Sequence, residues 1–488
     1  MDPSTTAVIV GIGEIRDRPD DWQRALEPAA LMAAAATNAD VNGGGGWLAS
    51  ADSLDVVHQK SWRYRDTAAA VAAALDIAPA RSEYGHYGGE TPVAMLDAAA
   101  RRIEAGTSRV ALIVSGEAQY ASTKARREGI DLRWTSFAER EEHAFDPRGV
   151  IDPLAVAQGM LSPAQVYPLF ETAWTASEGL TQAEGIAASA ALWARYADVA
   201  RGNMFAWQQS PPDEQAIGSP DGGNRWICWP YTRAMVANPE VNQGAAVMVT
   251  SLAEARRRGV PDEQLVYIGG GAHAIEPRNW LMRDRFDGSG AQAAVLAAMD
   301  GKFDLAELYS CFPVVPKMAG DTLGEAVLDR PTVAGGLSFF GGPLNAYMLH
   351  AATAMVRSLR AGQGERGLLY GQGEYLTKHH ALALGRSPED GPRAGSVQAI
   401  ADAARGPVPE LRSEATGPAT IEAHTVIFGR DGAPQFGAVV ARGIDGWRTL
   451  ARTDDHAAIA QLIDPGSGPV GSAGLVQQVD GRPVWRFM

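Results

Sequence analysis

The chain contains very little cysteine. Cys228 and Cys311 are the two cysteines in 488 residues, which excludes a disulfide framework and a cysteine-rich zinc cluster. His379 and His380 form an adjacent pair, but no acidic or histidine partner lies at the spacing that metal ligands require. We therefore expect neither a metal site nor a bound cofactor.

Long apolar runs and an excess of positive charge are also lacking. No stretch approaches the ~20 uninterrupted apolar residues that a bilayer crossing needs. An acidic residue, with no basic segment, precedes the short apolar run near the N-terminus, which is not the order of a secretory signal. The formal net charge is −14, so the surface would repel a polyanion. We expect a cytoplasmic protein whose partner is neither a membrane nor a nucleic acid.

Apolar strands and helices alternate along most of the chain. The run TAVIVGIGE predicts a strand that begins at Ala7 and ends at Gly11, and SRVALIVSGE predicts one that ends at Gly116. The run QLVYIGGGA predicts a third strand, which ends in the glycines 269–271. This alternation of unbroken apolar strands with helices indicates an α/β fold with a mostly parallel sheet covered on both faces.

Shifts in composition divide the chain into four parts. Residues 1–256 form a first α/β half, in which the strand rhythm disappears over a helical insertion of about 121–225. Residues 257–390 form a second half of similar build, which suggests a duplication. The charged, Pro- and Gly-containing stretch 391–408 reads as a linker. Residues 409–488 show short alternating runs separated by glycine turns, which predict a small all-β, OB-like barrel.

Four glycine-rich stretches, around Gly11, Gly269, Gly341 and Gly371, are candidate ligand loops. None has the spacing of a nucleotide-binding motif. Tight turns at strand ends would explain them, but the loops that follow strands are also where α/β folds bind ligands. The chain has no G-x-S-x-G elbow, so a serine hydrolase is not expected.

Five ordered segments resemble the thiolase superfamily, specifically bacterial thiolase-like proteins labelled acetyl-CoA acetyltransferase and related to SCP2-type thiolases. The segments are GGETPVAMLDAAARRIEAGTSRVALIVSGEA, PYTRAMVANPEVNQGAAVMVTS, ELYSCF, GGLSFFGGPLN and LLYGQGEYLTKH. The resemblance covers about 7–384. It implies two duplicated βαβαβαββ halves with a helical loop inserted in the first, and a homodimer, or a monomer if the extra C-terminal domain blocks the interface.

The resemblance also shows that the residues of thiolase catalysis are missing. The position of the nucleophilic cysteine falls on Gly89, that of the histidine base on Gly342, and that of the second cysteine on Leu369. Nucleophile and base act as a unit, so conventional acyl transfer is not expected. Tyr309 and Cys311, in the segment YSCF, remain as candidate catalytic residues.

We therefore expect a protein that handles CoA or acyl-CoA thioesters without conventional thiolase catalysis. The ligand would lie against His86, Gly88, Gly89, Gly341, Gly342, Gly371 and Gly373. The neighbouring Glu90 has a simpler explanation than ligand binding, because a carboxylate at the start of a helix interacts favourably with the helix dipole.

Two alternatives stay open. YSCF resembles the YDCF of thiolase-like aldolases, which work with an OB-fold partner, so the chain could be a retro-aldolase for 3-hydroxyacyl-CoA with Tyr309 as acid/base. Ser310 replaces the aspartate of that motif, and Tyr347 and Tyr370 are the nearest further tyrosines. The other alternative is nucleic-acid binding by the OB-like domain through Arg430, Arg442, Trp447, Arg448, Arg452 and Trp485.

Overall fold

The computed structural model describes residues 2–139, 143, 145–299, 301–389 and 394–488. Its strands are β1 (Ala7–Arg16), β2 (Ser53–Val56), β3 (Arg81–Tyr84), β4 (Val110–Ala118), β5 (Trp226–Cys228), β6 (Tyr231–Thr232), β7 (Asn242–Ser251), β8 (Val266–Ile275), β9 (Leu305–Leu308), β10 (Arg366–Gly373), β11 (Lys378–Gly385), β12 (Gly395–Ser396), β13 (Gly417–Phe428), β14 (Pro434–Gly443), β15 (Arg448–Thr453), β16 (Ala473–Val479) and β17 (Arg482–Phe487).

The helices alternate with these strands. They are α1 (Pro28–Asn42), α2 (Thr67–Leu75), α3 (Thr91–Glu104), α4 (Gln119–Glu128), α5 (Pro153–Gln158), α6 (Pro163–Ser177), α7 (Gln182–Gly202), α8 (Glu214–Gly218), α9 (Leu252–Arg257), α10 (Gly290–Ala297), α11 (Val314–Leu323), α12 (Tyr347–Arg360), α13 (Gln398–Ala404) and α14 (His456–Leu462). None of the helices in the described residues is both long and apolar enough for a bilayer crossing.

A mixed sheet of ten strands, counted over the described residues, forms the centre of the fold. Its order is β3-β2-β4-β7-β1-β8-β11-β10-β9, with β12 beside β8. The strands β1 and β8 pair antiparallel in the middle. Outward from them the order is β7-β4-β2-β3 on one side and β11-β10-β9 on the other, so the second side repeats the first without a counterpart of β3. The pairs β3-β2, β2-β4 and β10-β9 toward the two ends are parallel, as is β12 with β8, whereas the five pairs from β4 to β10 are antiparallel. The prediction of a mostly parallel sheet is therefore wrong.

The two halves each place one helix in an equivalent position. α3 lies between β2 and β4 in the chain, and α12 lies between β9 and β10. The two helices contact each other as well as the sheet. Their N-termini follow the glycine-rich loops at Gly88 and Gly341, so the fold brings both loops to the middle of the molecule.

Several glycines lie inside strands and do not end them. β1 continues through Gly11 and Gly13, and β8 continues through 269–271, which corrects the predicted strand ends. A Cβ atom on Gly11 would lie closer than 3.0 Å to the backbone oxygen of Ala39, and one on Gly13 would do the same at Ala35. These glycines therefore allow α1 to pack directly on the strand.

The insertion in the first half consists of α4 to α8 and ends with the short strands β5 and β6. A buried ion pair connects it to the second half: Lys317 Nζ in α11 lies 2.5 Å from Glu171 Oε1 in α6. Ser189 Oγ accepts a second bond from the same ammonium at 2.7 Å, and Tyr231 donates to the other carboxylate oxygen at 2.6 Å. Every member of this network is satisfied, as a buried charge requires.

The C-terminal domain is a closed five-stranded barrel in the described residues, as predicted. Its strands run in the order β14-β15-β17-β16-β13, and β13 also pairs with β14 to close the ring. In chain order, the third strand β15 and the fifth strand β17 of the barrel are parallel, and α14 lies between β15 and the fourth strand β16. This is the OB arrangement. The sheet continues beyond the barrel, because β13 also pairs with β5 of the insertion.

The stretch 391–408, expected to be a linker, contains a short strand and a helix within its described residues 394–408. β12 pairs with β8, and α13 packs against α10. The side chain of Gln398 accepts a bond from the Ile275 nitrogen at 2.8 Å and donates to the Ile275 oxygen at 2.9 Å. These contacts attach part of the predicted linker to β8.

Candidate functional site

The loop before α3 carries the position of the thiolase nucleophile. Gly89 lies in this loop and is buried. A Cβ atom there would lie closer than 3.0 Å to the hydroxyl oxygen of Tyr309, 2.5 Å from its Cζ and 2.6 Å from the backbone oxygen of Gln372. The phenol of Tyr309 therefore occupies the space that a side chain at position 89 would need.

Tyr309 directly follows β9 and is buried. Its backbone nitrogen donates to the Tyr370 oxygen at 3.0 Å, which continues the pairing of β9 with β10. Its ring lies edge-on to that of Tyr347, with centroids 6.2 Å apart. Burial raises the pKa of Tyr309 well above its usual value, and the neighbouring Cys311 and Glu90 raise it further. The phenol is therefore neutral and can act only as a proton donor until a base removes its proton.

Cys311 does not have the properties of a nucleophile. Its sulfur accepts a hydrogen bond from Gln372 Nε2 at 3.1 Å, and burial raises the pKa of the thiol to about 12. Burial also raises the pKa of Cys228 to about 12. A nucleophilic cysteine needs a lowered pKa in a polar setting, so both thiols remain protonated at neutral pH.

Glu90 brings a buried carboxylate to the same place. Its Oε1 bonds to His86 Nε2 at 2.7 Å, whereas its Oε2 is buried with no hydrogen-bond partner. A Cβ atom on Gly88 or on Gly373 would lie closer than 3.0 Å to that Oε2. The two glycines therefore leave room for the carboxylate, which sequence reasoning assigned only to the helix dipole.

The position of the histidine base is also closed. The Gly342 nitrogen donates to the Asn238 oxygen at 2.8 Å, and a Cβ atom there would lie 3.2 Å from the Leu337 oxygen. Gly341 has φ +121°, and a Cβ atom on it would lie 2.7 Å from Gln243 Oε1. Backbone and side chains from the neighbouring segment thus fill the space around both glycines.

The third catalytic position is equally without a functional group. Leu369 lies within β10 and is fully buried. A side chain of this kind contributes to the core of the second half. Gly371, two residues further along the strand, lies against α3, because a Cβ atom there would be 3.0 Å from the Glu90 Cα.

Asn345 connects the two glycine-rich loops, which sequence reasoning missed. Its Oδ1 accepts a hydrogen bond from the Gly88 nitrogen at 3.1 Å, and its Nδ2 donates to the His58 oxygen at 3.1 Å. The two contacts span 257 and 287 positions of the sequence and connect the two halves. The one signal in the sequence is an amide side chain three residues after the second glycine loop.

A second buried carboxylate supports the loop that leads to Gly341. Glu307 in β9 accepts hydrogen bonds from the Tyr347 hydroxyl at 2.6 Å and from the Val333 nitrogen at 2.9 Å. Burial raises the pKa of Glu307 to about 7 against these bonds, which lower it. The Tyr347 hydroxyl in turn accepts from the Gly336 nitrogen at 2.9 Å. The network fixes the loop before α12 to β9.

The expected ligand residues thus form two groups. The first group surrounds Glu90 and Tyr309 and consists of His86, Gly88, Gly89 and Gly373, with Gly371 against the backbone of Glu90. Gly341 and Gly342 lie instead against the segment around Asn238. The first group is the candidate site that the structure assembles, and the second group borders a separate cleft.

This cleft has a volume of about 1230 Å³ and lies between the insertion, the loop before α12 and the C-terminal domain. Its described lining does not include Tyr309 or Gly89. The lining residues are Arg127, Gln208, Pro212, Ala216, Asp221, Gly222, Gly223, Asn224, Arg225, Ile227, Arg233, Ala234, Val236, Ala237, Asn238, Pro239, Glu240, Ser338, Phe339 and Arg430. Sequence reasoning missed it, because three distant segments form it.

The basic and aromatic residues considered for nucleic-acid binding do not share an exposed face. Trp447, Arg448 and Trp485 are buried. Arg448 and Arg442 both pair with Glu422. Stacking of bases requires exposed aromatic rings, which Trp447 and Trp485 do not provide.

Among the described residues, no group of three or more histidine, cysteine or acidic side chains is placed to hold a metal ion.

Comparisons with known proteins find relatives for the C-terminal domain and for the whole chain. Residues 397–481 match the family model of the thiolase-like protein type 1 additional C-terminal domain. A monomeric SCP2-thiolase-like protein type 1 from Mycobacterium smegmatis is 27% identical, with a TM-score of 0.84, and the match covers 100% of both chains. No curated protein matches the sequence.

More distant structures share the fold alone. The Ltp2-ChsH2(DUF35) aldolase is 18% identical, with a TM-score of 0.57 and coverage of 78% of this chain and 98% of that chain. Human mitochondrial 3-ketoacyl-CoA thiolase in complex with CoA is 12% identical, with a TM-score of 0.57 and coverage of 79% and 99%. The chain therefore has the thiolase fold, and residues 397–481 match the additional C-terminal domain of thiolase-like proteins type 1.

Proposed function

We propose that the chain binds a CoA thioester and does not form an acyl-enzyme. The observation that carries this proposal is the phenol of Tyr309 in the space at Gly89. Covalent acyl transfer needs an activated thiolate. Burial raises the pKa of both cysteines to about 12, so neither supplies a thiolate at neutral pH.

The ligand class is supported by the fold and by the cleft. A thiolase of the same fold was solved in complex with CoA. The cleft of about 1230 Å³ is larger than the roughly 300–1,000 Å³ of ordinary small-molecule sites. It therefore has room for an extended ligand such as a CoA thioester.

Calorimetric titration with CoA and acyl-CoAs of increasing chain length tests the ligand. We expect saturable binding, and the absence of binding at millimolar ligand would contradict the proposal. Intact-mass measurement after incubation with acetyl-CoA tests the chemistry. We expect no acetyl adduct, and a stable adduct on either cysteine would show that the covalent route operates.

A second candidate function is retro-aldol cleavage of a 3-hydroxyacyl-CoA. The observation that favours it is that Glu90, whose Oε2 has no hydrogen-bond partner, lies close enough to the neutral phenol of Tyr309 to raise the pKa of that phenol. Glu90 would accept the proton of the 3-hydroxyl group as the bond between C2 and C3 breaks. The electron pair moves to C2 as an enolate, a carbonyl forms at C3, and Tyr309 donates a proton to C2.

Incubation with 3-hydroxyacyl-CoA substrates, with detection of the released aldehyde or ketone, tests this second function. Tyr309→Phe is expected to lower the rate by about 10²- to 10⁴-fold, the usual contribution of an acid/base group. Tyr120→Phe, at a half-buried tyrosine of α4, is the matched control. Absence of cleavage by the parent, or an undiminished rate in Tyr309→Phe, would refute it.

We also propose that the chain is a monomer. The edge strand β3 carries Arg81 and Glu83, which pair with each other, and Arg81 also contacts Asp55. Charged side chains on an edge strand disfavour pairing with a second copy. Light scattering coupled to gel filtration is expected to give the mass of one chain, and a dimer mass would contradict the proposal.

A further inference from the structure

The cleft between the insertion and the C-terminal domain is positively charged in a chain whose net charge is −14. The charged lining residues are Arg127, Arg225, Arg233 and Arg430 against Asp221 and Glu240. Arg127 and Glu240 neutralise each other, because they form an ion pair at 2.8 Å. Three arginines then face one aspartate, so this cleft attracts anions while the rest of the surface repels them.

One of these arginines comes from the additional domain. Arg430 lies in the turn between β13 and β14 and is exposed. The turn has a fixed position relative to the insertion. The Trp229 nitrogen donates to the Val426 oxygen at 2.8 Å, and Arg225 Nη1 donates to the Gly429 oxygen at 3.3 Å. The backbone next to Arg430 is therefore attached to the wall of the cleft.

Two of the arginines are available to a ligand. In the described part of the chain, neither Arg233 nor Arg430 makes an ion pair or a side-chain hydrogen bond, and both are exposed. Asp431, the neighbour of Arg430 in the turn, uses its Oδ1 to accept from the Ala433 nitrogen at 3.1 Å. Arginines without a carboxylate partner can place both of their outer N–H groups on phosphate oxygens.

We propose that Arg233 and Arg430, with Arg225 between the two domains, form a phosphate-binding subsite, so that the additional domain completes the ligand cleft. The ligand class is a phosphorylated one, and under the proposed function it is the nucleotide end of CoA. The proposal thus rests on the proposed function for the identity of the ligand. Three observations support the phosphate-binding subsite independently: the positive charge of the cleft, the two unpaired arginines, and the attachment of the turn that carries Arg430 to the wall of the cleft.

The test compares probes that differ in phosphate. Binding of CoA, of pantetheine, which lacks the phosphates, and of adenosine 3′,5′-bisphosphate is measured by calorimetry on the full chain. Arg430→Ala is expected to weaken CoA and bisphosphate binding about 10-fold, the usual size for one charged hydrogen bond, and to leave pantetheine binding unchanged. Arg233→Ala is expected to act in the same way.

The matched control is Arg412→Ala. Arg412 belongs to the same domain and is largely exposed, but it pairs with Glu410 and does not line the cleft. It is expected to bind every probe as the parent does. Arg430 is exposed, so its variant is expected to keep the thermal midpoint of the parent, which a melting curve verifies before the titrations.

The outcomes separate the two proposals. If the parent binds CoA and Arg430→Ala binds it equally well, the phosphate subsite is refuted and the proposed function stands. If the parent binds the bisphosphate in an Arg430-dependent manner but binds no CoA thioester, the proposed function is refuted and the subsite stands. If the parent binds none of the probes, both are refuted.

Discussion

Replacing Gly89 with alanine tests whether the phenol of Tyr309 fills the former nucleophile position. The new Cβ atom would overlap the Tyr309 hydroxyl and lie 2.5 Å from its Cζ and 2.6 Å from the Gln372 oxygen. The last of these is a backbone atom in β10, and the ring of Tyr309 packs against that of Tyr347. None of the three contacts can be relieved by rotating a flexible side chain.

The expected cost follows from overpacking. Adding a methyl group to a well-packed interior costs about 1–3 kcal/mol, and the rigid surroundings favour the upper end of this range. For a cooperative unit of roughly 400 residues, about 2 kcal/mol lowers the melting temperature by about 2–3 °C. Tyr309→Phe removes the nearest atom, so the loss caused by Gly89→Ala is expected to be about 1 kcal/mol smaller in that background.

Scanning fluorimetry and urea unfolding of the two single variants and the double variant measure this coupling. Gly202→Ala is the control, because Gly202 ends α7 with nothing within 4 Å of its Cβ position. It is expected to be neutral or slightly stabilising, since alanine favours the helix. An unchanged melting temperature for Gly89→Ala, or the same loss with and without the Tyr309 hydroxyl, would refute the reasoning.

Three further predictions concern buried ionisable groups. Cys228 and Cys311, each with a pKa of about 12, are expected to resist alkylation at pH 8 in the folded chain and to react in denaturant; rapid modification of the native protein would contradict this. His424 has no partner for either ring nitrogen, and burial lowers its pKa to about 3, so the unfolded chain binds one more proton between about pH 3 and 6.5. The stability that follows from the neutral ring is fully present above pH 6.5 and decreases as the pH is lowered, by about 2 kcal/mol at pH 5. Urea unfolding at pH 5 and pH 7 should show this difference in the parent and not in His424→Leu. An identical pH dependence in parent and variant would count against it. Lys317→Met leaves Glu171 buried without its cation and is expected to cost about 3–5 kcal/mol, with part of the loss recovered when Glu171→Met is added; equal stability of single variant and parent would disprove the role of the pair.

The sequence was a good guide to the fold but a poorer one to the reason for its glycines. Local periodicity predicted the alternation of elements and the C-terminal barrel, because both depend on neighbours in sequence. Gly11 and Gly13 looked like strand ends, yet they lie within β1 where α1 approaches. Glycine in a strand has the same sequence signal whether it ends the strand or admits a helix.

At the candidate site, the missing catalytic residues could be predicted, but their replacements could not. Aligning segments with a known family shows that Gly89 lacks a thiol. That Tyr309, distant in sequence, enters the same space depends on packing between the halves. The contact from Asn345 to the Gly88 nitrogen and the place of Arg430 in the cleft are equally long-range. No local pattern contains this information.

The pairing of β5 with β13 has a consequence for how the chain folds during synthesis. Cys228 lies opposite Ile427, so about 200 residues separate the two partners. At roughly 5–20 residues per second, the ribosome needs about 10–40 s to deliver the second strand after the first. Throughout that interval the nascent chain presents an unpaired strand edge, the kind of surface that recruits aggregation. The C-terminal barrel therefore covers a strand edge of the insertion that is synthesised well before the barrel itself.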